Sequence, residues 1–165
     1  MTALDELNDA PADRLVQRLR ACNAAPRFAA QVVAGRPYPD AGTLVARAGE
    51  VVRGLPWEEV ELALAAHPRI GDRVEGSSAE AGASRREQGA VVGADERTRA
   101  ALAEGNRAYE ERFGRVFLVR AAGRSPEELL AELRRRLGHD EEAERAEVVE
   151  QLAQITELRV RELVR

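Results

Sequence analysis

The segment from His67 to Asp72, with the sequence HPRIGD, contains side chains whose types and spacing suit acid–base chemistry. It follows an apolar run that is typical of a helix. Because a proline disfavours the α conformation of the residue before it, we expect His67 to leave that helix in an extended conformation. An imidazole fixed there can act as a general acid or base. The pattern also fits a helix stop with a capping histidine, so spacing alone leaves both interpretations open.

A second candidate, Arg159, lies on the apolar face of the helix predicted at the C-terminus. At about 100° per residue, Arg159 falls within an apolar stripe, whereas Arg161 points the opposite way. The stripe consists of Val148, Leu152, Ile155 and Leu163. A buried guanidinium needs a partner, so Arg159 should meet an internal carboxylate or an anionic ligand. A side chain that extends to solvent is the remaining alternative.

A third candidate is a half-polar helix face in the middle of the chain. It combines a hydroxyl, a carboxylate and an amide, from Ser84, Glu87 and Gln88. Such a face could bind a flat ligand rich in N–H and C=O groups, because glutamine offers both a donor and an acceptor. A salt bridge from Glu87 to Arg86 or Arg159 would explain the same pattern structurally.

Composition excludes several classes of function. All 25 basic residues are arginines, and a chain without lysine cannot use Schiff-base chemistry or a phosphate-binding loop. One cysteine, Cys22, and two histidines cannot form a disulfide or the usual structural zinc set. His67 and Asp72 alone are too few ligands for a catalytic metal. A net charge of −4 argues against a broad nucleic-acid surface.

The length and pattern of the chain predict one cytoplasmic domain. The 165 residues, 44% of them hydrophobic, suit a single domain over residues 1–165, and neither a signal peptide nor a membrane span is recognisable. The arginine and alanine bias is typical of GC-rich bacterial genomes. We interpret Arg134 to Arg136 as a solvated helix end, and we expect His139 to be exposed and its replacement to be nearly silent.

The elements that must position these residues are predicted to be helices. We expect an all-α fold, a compact single-domain multi-helix bundle with one short extended segment near residues 115–122. Caps, prolines and glycines at their ends define most of the helices. The expected helices cover about residues 13–22, 26–34, 56–66, 95–113 and 140–164, and another begins at Ser125-Pro126 and is closed by Gly138. One more runs through Leu44, Ala48 and Val51 and ends near Gly54, and another is capped by Ser77 or Ser78 and runs to about Val92.

Four motifs, taken together and in this order, resemble one family. They are HPRIGD at 67–72, S-x-x-E-Q at 84–88, N-x-x-Y-x-x-x-F-G-x-x-F at 106–117 and I-T-E-L-R at 155–159. Their order and spacing resemble the 2-oxo-4-hydroxy-4-carboxy-5-ureidoimidazoline (OHCU) decarboxylase family of urate degradation. The resemblance spans nearly the whole chain. The turn Cys22-Asn23-Ala24 and the stretch Val119-Arg120-Ala121 depart mildly from the family pattern.

The resemblance implies an all-α, usually dimeric, cofactor-free enzyme, which converts OHCU to (S)-allantoin and carbon dioxide. It implies three catalytic residues, His67, Glu87 and Arg159. It also implies substrate contacts from Pro68, Ser84, Arg85, Arg86, Glu87, Gln88, Val119, Arg120, Ala121, Ala122 and Gly123. Association with a hydroxyisourate hydrolase is a further possibility. The alternative is a diverged, non-catalytic helical module that binds a purine-like ligand or a protein partner.

Overall fold

The described residues are mainly helical. The structure, a computed structural model, describes residues 1–70 and 95–165, so the helix predicted over 77–92 lies outside it. Within these two ranges there are eight helices and no strand, which confirms the all-α class. They are α1 (Ala3–Asp9), α2 (Ala12–Arg20), α3 (Pro26–Ala34), α4 (Ala41–Arg53), α5 (Trp57–Leu64), α6 (Glu96–Phe113), α7 (Pro126–Leu137) and α8 (Glu141–Leu163). In these ranges no helix is both long and apolar enough to cross a membrane.

Several helices begin and end where the local sequence predicts. The Asp95 side chain accepts a hydrogen bond from the Thr98 N–H and starts α6. Gly114 ends α6 in the left-handed conformation, with a φ of 71°, which is easy only for glycine. Ser125 and Glu128 form a capping box at the start of α7. These ends are set by local side chains, so sequence alone locates them.

The first helix, α1, was not among the predicted elements. Thr2 and Asp5 form a capping box at its start, and Leu7 is its buried residue. The Arg36 guanidinium donates from Nη1 to the carbonyls at its other end, those of Leu7, Asn8 and Ala10, at 3.2, 3.2 and 2.6 Å. A helix of seven residues is marginal by itself, so these distant contacts are needed to hold it.

The chain divides into two compact units. The first unit contains residues 1–66 and 152–165, and α2 packs on α3 and α3 on α4 within it. The second unit contains residues 67–151, of which 67–70 and 95–151 are described, and α6 packs on α7 within it. Its core contains Ile70, Leu102, Tyr109, Phe117, Val119, Ala121, Leu129 and Leu133. The single-domain organisation expected from chain length stays a prediction.

The predicted extended segment lies in the second unit. Residues 116–121 belong to no helix. Phe117, Val119 and Ala121 all enter the core of that unit, which is the alternation that an extended backbone produces. The backbone then turns at Gly123, whose φ is 79°. The extended conformation therefore orients successive peptide groups in opposite directions.

Candidate active site

His67 lies at the exit of α5. The helix ends at Leu64, a short turn follows, and residues 67–69 are not helical. The steric effect of Pro68 on the residue before it explains why the helix does not continue. The His67 side chain is buried, with 9% of the residue exposed. The structure thus confirms the predicted helix exit and adds that the imidazole is largely shielded from solvent.

The segment that follows His67 is fixed to α6. Arg69 forms two hydrogen bonds to the Glu110 carboxylate, Nε to Oε1 at 2.5 Å and Nη2 to Oε2 at 3.0 Å. Asn106 donates from Nδ2 to the Ile70 carbonyl at 2.9 Å, and this contact is buried. Bidentate pairing restricts both position and orientation. The segment is therefore held from two consecutive turns of one helix.

Arg159 lies in the first unit on the inward face of α8. Only 6% of the residue is exposed, while Arg161 is exposed, as the apolar stripe predicts. Its Nη1 donates to the Ala21 carbonyl in the turn after α2, at 3.5 Å. The predicted burial is confirmed, and the turn supplies one of its partners.

That turn is tied to α8 by a second contact. Asn23 is 1% exposed, donates from Nδ2 to Thr156 Oγ1 at 3.2 Å and accepts at Oδ1 from the Ala25 N–H at 2.9 Å. The Thr156 hydroxyl in turn donates to the Leu152 carbonyl at 2.8 Å. Both polar ends of the Asn23 amide are satisfied, so the turn that accepts from Arg159 has a defined place.

The stretch from Val119 to Gly123, expected to contact substrate, is held in the second unit through its backbone. The Leu118 carbonyl accepts from Arg136 Nη1 at 2.5 Å, and the Arg120 N–H donates to Gln151 Oε1 at 2.9 Å. The Nε atom of Arg120 is buried and has no hydrogen-bond partner within the described ranges. It is therefore a donor that a ligand could use.

Arg136 contradicts the expectation of a solvated arginine cluster. Arg134 and Arg135 are exposed, but Arg136 is 0% exposed. Its Nε and Nη2 donate to the Glu144 carboxylate, at 3.0 Å to Oε1 and 2.6 Å to Oε2, and Glu144 is equally buried. Two buried charges are tolerated here because each neutralises the other and further hydrogen bonds complete the pair.

Two further side chains complete the Glu144 environment. The Tyr109 hydroxyl donates to Oε2, and burial, followed by this hydrogen bond and the charge of Glu144, raises the pKa of Tyr109 well above its usual range. His139 Nδ1 lies 3.2 Å from Oε1. The His139 side chain is only 23% exposed, so the expectation of an exposed histidine was wrong.

The missed residue Arg136 has a recognisable signal in the sequence. It follows Leu129 and Leu133 at positions i, i+4 and i+7 of α7, and both leucines are 0% exposed. Helical periodicity therefore places Arg136 on the buried stripe. The interpretation of three consecutive arginines as one solvated group concealed this position.

The structure describes only part of the predicted site. Ser84, Arg85, Arg86, Glu87 and Gln88 lie outside the described residues, as do Gly71 and Asp72. His67, Pro68 and residues 119–123 belong to the second unit, and Arg159 belongs to the first. Their assembly into one site stays a prediction.

Comparison with known proteins gives one consistent result. The family model for OHCU decarboxylase matches residues 8–161. A 2-oxo-4-hydroxy-4-carboxy-5-ureidoimidazoline decarboxylase from Amia calva is 32% identical over 141 residues, which cover 84% of this chain and 81% of that protein.

Two solved structures share the fold. A crystal structure of OHCU decarboxylase in the presence of (S)-allantoin matches with a TM-score of 0.75 and 22% identity, over 94% of this chain and 99% of that one. A crystal structure of (S)-allantoin synthase matches with a TM-score of 0.71 and 17% identity, over 98% of this chain and 54% of that one.

Proposed function

Because the chain belongs to the OHCU decarboxylase family, we propose that it decarboxylates OHCU to (S)-allantoin and carbon dioxide in urate degradation. The observation that supports this proposal most directly is the family match, which runs from residue 8 to residue 161 and includes all four motifs. The protein is accordingly a carboxy-lyase.

The proposed chemistry needs no electron sink beyond the substrate. Loss of carbon dioxide leaves an electron pair on the former C4 carbon, and the adjacent C=N bond of the ring can accept it. Thiamine and pyridoxal phosphate supply such a sink in other decarboxylases. A chain without lysine can therefore perform this reaction, and we propose that the enzyme is cofactor-free.

His67 is the proposed general acid and base. It handles the proton that leaves the C4 hydroxyl as C4 becomes a carbonyl, and the proton that arrives at the ureido-bearing carbon, to which the electron pair of the carbanion passes. Its burial and the fixed segment after it support this role, because proton transfer requires a defined ring position. Glu87 orients the ring or ureido N–H groups and shares the proton transfer with His67. Arg159 positions an anionic oxygen.

The proposed substrate contacts come from three places. Pro68 packs under the ligand and orients the His67 ring. Residues 84–88 contribute polar side chains, and residues 119–123 contribute backbone and side-chain groups to the ureido and ring carbonyl groups. The buried Nε of Arg120, which has no hydrogen-bond partner among the residues that the structure describes, supports the last assignment.

The family resemblance supports a dimer, and the length and composition of the chain support the rest of its proposed organisation. We propose one functional domain over residues 1–165, a homodimer, and a bacterial cytoplasmic location. Sedimentation equilibrium of the purified protein tests the oligomeric state directly. A single species with the mass of one chain would contradict the dimer.

To test the function, OHCU is generated in situ from urate with urate oxidase and hydroxyisourate hydrolase. This protein is then added, and the circular dichroism of the allantoin formed is followed. Rapid formation of the (S) enantiomer is expected. His67→Asn should lower turnover by on the order of 10² to 10⁴. Glu61→Gln, an exposed substitution in α5, is the control and should leave turnover unchanged.

Two outcomes would contradict this proposal. Racemic allantoin formed at the uncatalysed rate would favour the alternative function, a non-catalytic helical module that binds a purine-like ligand or a protein partner. Near-normal turnover in a folded His67→Asn variant would remove the acid–base role from His67 while leaving the decarboxylase activity.

A further inference from the structure

Arg136 and Gln151 hold the backbone on both sides of Val119. We propose that they are positioning residues, which fix the main-chain groups of Val119 in the orientation that binds substrate. This inference rests on the proposed function, because that function assigns residues 119–123 to the substrate. Neither residue belongs to the catalytic or contact residues named above.

The two contacts bind the two peptide groups that flank the Val119 α-carbon. The Leu118 carbonyl, in the peptide before it, accepts from Arg136 at 2.5 Å. The Arg120 N–H, in the peptide after it, donates to Gln151 at 2.9 Å. Fixing both peptide planes fixes the two backbone dihedral angles of the residue between them.

The remaining groups of the same peptides then have defined directions. In a planar trans peptide, the N–H and C=O point opposite ways. The Val119 N–H therefore points away from Arg136, and the Val119 C=O points away from Gln151. Neither forms a hydrogen bond with any part of the chain that the structure describes. Because the segment is extended, this donor and this acceptor point to the same side.

Such a pair matches the edge of a ligand in which an N–H and a C=O are neighbours. Ureido and cyclic amide groups have this edge, and two parallel hydrogen bonds to it would fix both the position and the orientation of the ligand. A rotation of either peptide would break the match. The positioning contacts therefore matter for binding, although neither side chain reaches the ligand.

The Arg136 guanidinium is well suited to hold the Leu118 carbonyl because other contacts fix its position and orientation. Two of its nitrogens are bound to Glu144, which also accepts from Tyr109. The guanidinium carbon lies 4.6 Å from the centre of the Phe117 ring. Supporting side chains on α6, α7 and α8 thus lock the donor that holds Leu118, as a precise site requires.

Gln151 provides the cleaner test, because loss of Arg136 would leave Glu144 buried and unpaired and could unfold the protein. Gln151→Leu removes the acceptor but keeps a similar volume at a position that is 5% exposed. Gln151→Glu keeps an acceptor oxygen. Arg135→Gln, an exposed neighbour of Arg136, is the matched control for Arg136→Lys.

We expect Gln151→Leu to raise KM for OHCU by on the order of tenfold while kcat stays within about threefold. The reason is that the lost interaction stabilises the bound substrate and the transition state equally. Gln151→Glu, which keeps an acceptor oxygen, should have a KM close to that of the wild type. Amide hydrogen exchange at Arg120 should accelerate in Gln151→Leu and not in Gln151→Glu. Arg136→Lys should raise KM, and Arg135→Gln should not.

Failure of this inference differs from failure of the proposed function. If the wild-type protein converts OHCU, and Gln151→Leu lowers the melting temperature at unchanged KM, Gln151 is only structural and the inference is overturned. If the wild-type protein neither converts OHCU nor binds (S)-allantoin, the proposed function fails and this inference fails with it.

Discussion

Arg69, two residues after His67, forms a bidentate ion pair with Glu110 of α6, with Nε–Oε1 and Nη2–Oε2 distances of 2.5 and 3.0 Å. The Arg69 side chain is 53% exposed and that of Glu110 is 22% exposed. Exposed pairs stabilise a fold by only about 0.2–1 kcal/mol, because solvent screens them. The geometry of this pair is therefore more important than its contribution to stability.

Glu110→Gln should affect activity more than stability. It removes the charge that holds Arg69 and loosens the segment that follows His67. We expect the free energy of unfolding to change by less than about 1 kcal/mol. The kcat/KM for OHCU should fall by on the order of tenfold, because small displacements of a catalytic group are costly and His67 is the proposed one.

Glu111→Gln is the matched control for this prediction. Glu111 is the exposed neighbour of Glu110 on the same helix. Urea unfolding and steady-state kinetics of both variants separate the two effects. Equal kcat/KM values in the two variants would show that the ion pair does not position His67.

Thr156→Val should destabilise the first unit through the turn after α2. The substitution preserves shape but removes the acceptor for Asn23 and the donor to the Leu152 carbonyl. Thr156 and Asn23 are buried, at 0% and 1% exposed, so water cannot replace the lost partner. We expect a loss of about 1–3 kcal/mol in urea unfolding.

Thr156→Ser tests whether the hydroxyl or the methyl group is responsible. Serine keeps the hydroxyl and loses only the methyl group, so most of the stability should remain. If Thr156→Ser is as unstable as Thr156→Val, packing of the methyl group is what stabilises this position, and the hydrogen-bond explanation is wrong.

The features that sequence predicted correctly depend on local interactions. Asp95, Gly114 and Ser125 define helix ends through contacts within a few residues. The exit of His67 follows from the ring of the next residue, and the burial of Arg159 follows from helical periodicity. In each case the cause lies within one turn or one face of a single element.

The features that sequence missed depend on tertiary contacts. Helix α1 is completed by Arg36, 26 to 29 residues further along the chain. Arg136 is buried because Glu144, on the next helix, neutralises it. Helical periodicity places Arg136 on the buried stripe, but propensity and charge patterns do not identify its partner. The fold class was therefore predictable, whereas the support for residues 118–120 became visible only in the structure.

Arg159→Gln should distinguish a ligand partner from an internal one. Because (S)-allantoin lacks the carboxylate of OHCU, the measurement is the KM for OHCU, which should rise by on the order of tenfold in the variant if Arg159 pairs with the substrate. If it neutralises an internal carboxylate, the variant without ligand should lose about 3–5 kcal/mol of stability. The proposed function predicts the first result.

Arg161→Gln is the control for Arg159→Gln. Arg161 lies two residues further along α8 and is exposed, so its loss should change neither the melting temperature nor the KM for OHCU. An unchanged KM and kcat for OHCU in Arg159→Gln would contradict a contact between Arg159 and the substrate.

Alkaline pH should destabilise the protein through its two tyrosines. Burial raises the pKa of Tyr109, with further contributions from the hydrogen bond and the charge of Glu144, and burial also raises the pKa of Tyr38. The tyrosine hydroxyls of the native state therefore keep protons that those of the unfolded state release at about pH 10. This contribution to stability is complete below that pH and declines as the pH rises towards the native pKa values.

The absence of lysine makes this effect measurable, because few other side chains titrate in the same range. The free energy of unfolding is measured in urea at about pH 9 and at about pH 11. Its decrease between these two pH values should be smaller in Tyr109→Phe than in the wild type. Tyr38→Phe provides the corresponding comparison in the first unit. Tyrosinate absorbance should appear together with the loss of helical circular dichroism. A tyrosinate step near pH 10 in protein that is still helical, with the amplitude of two tyrosines, would contradict the raised pKa values.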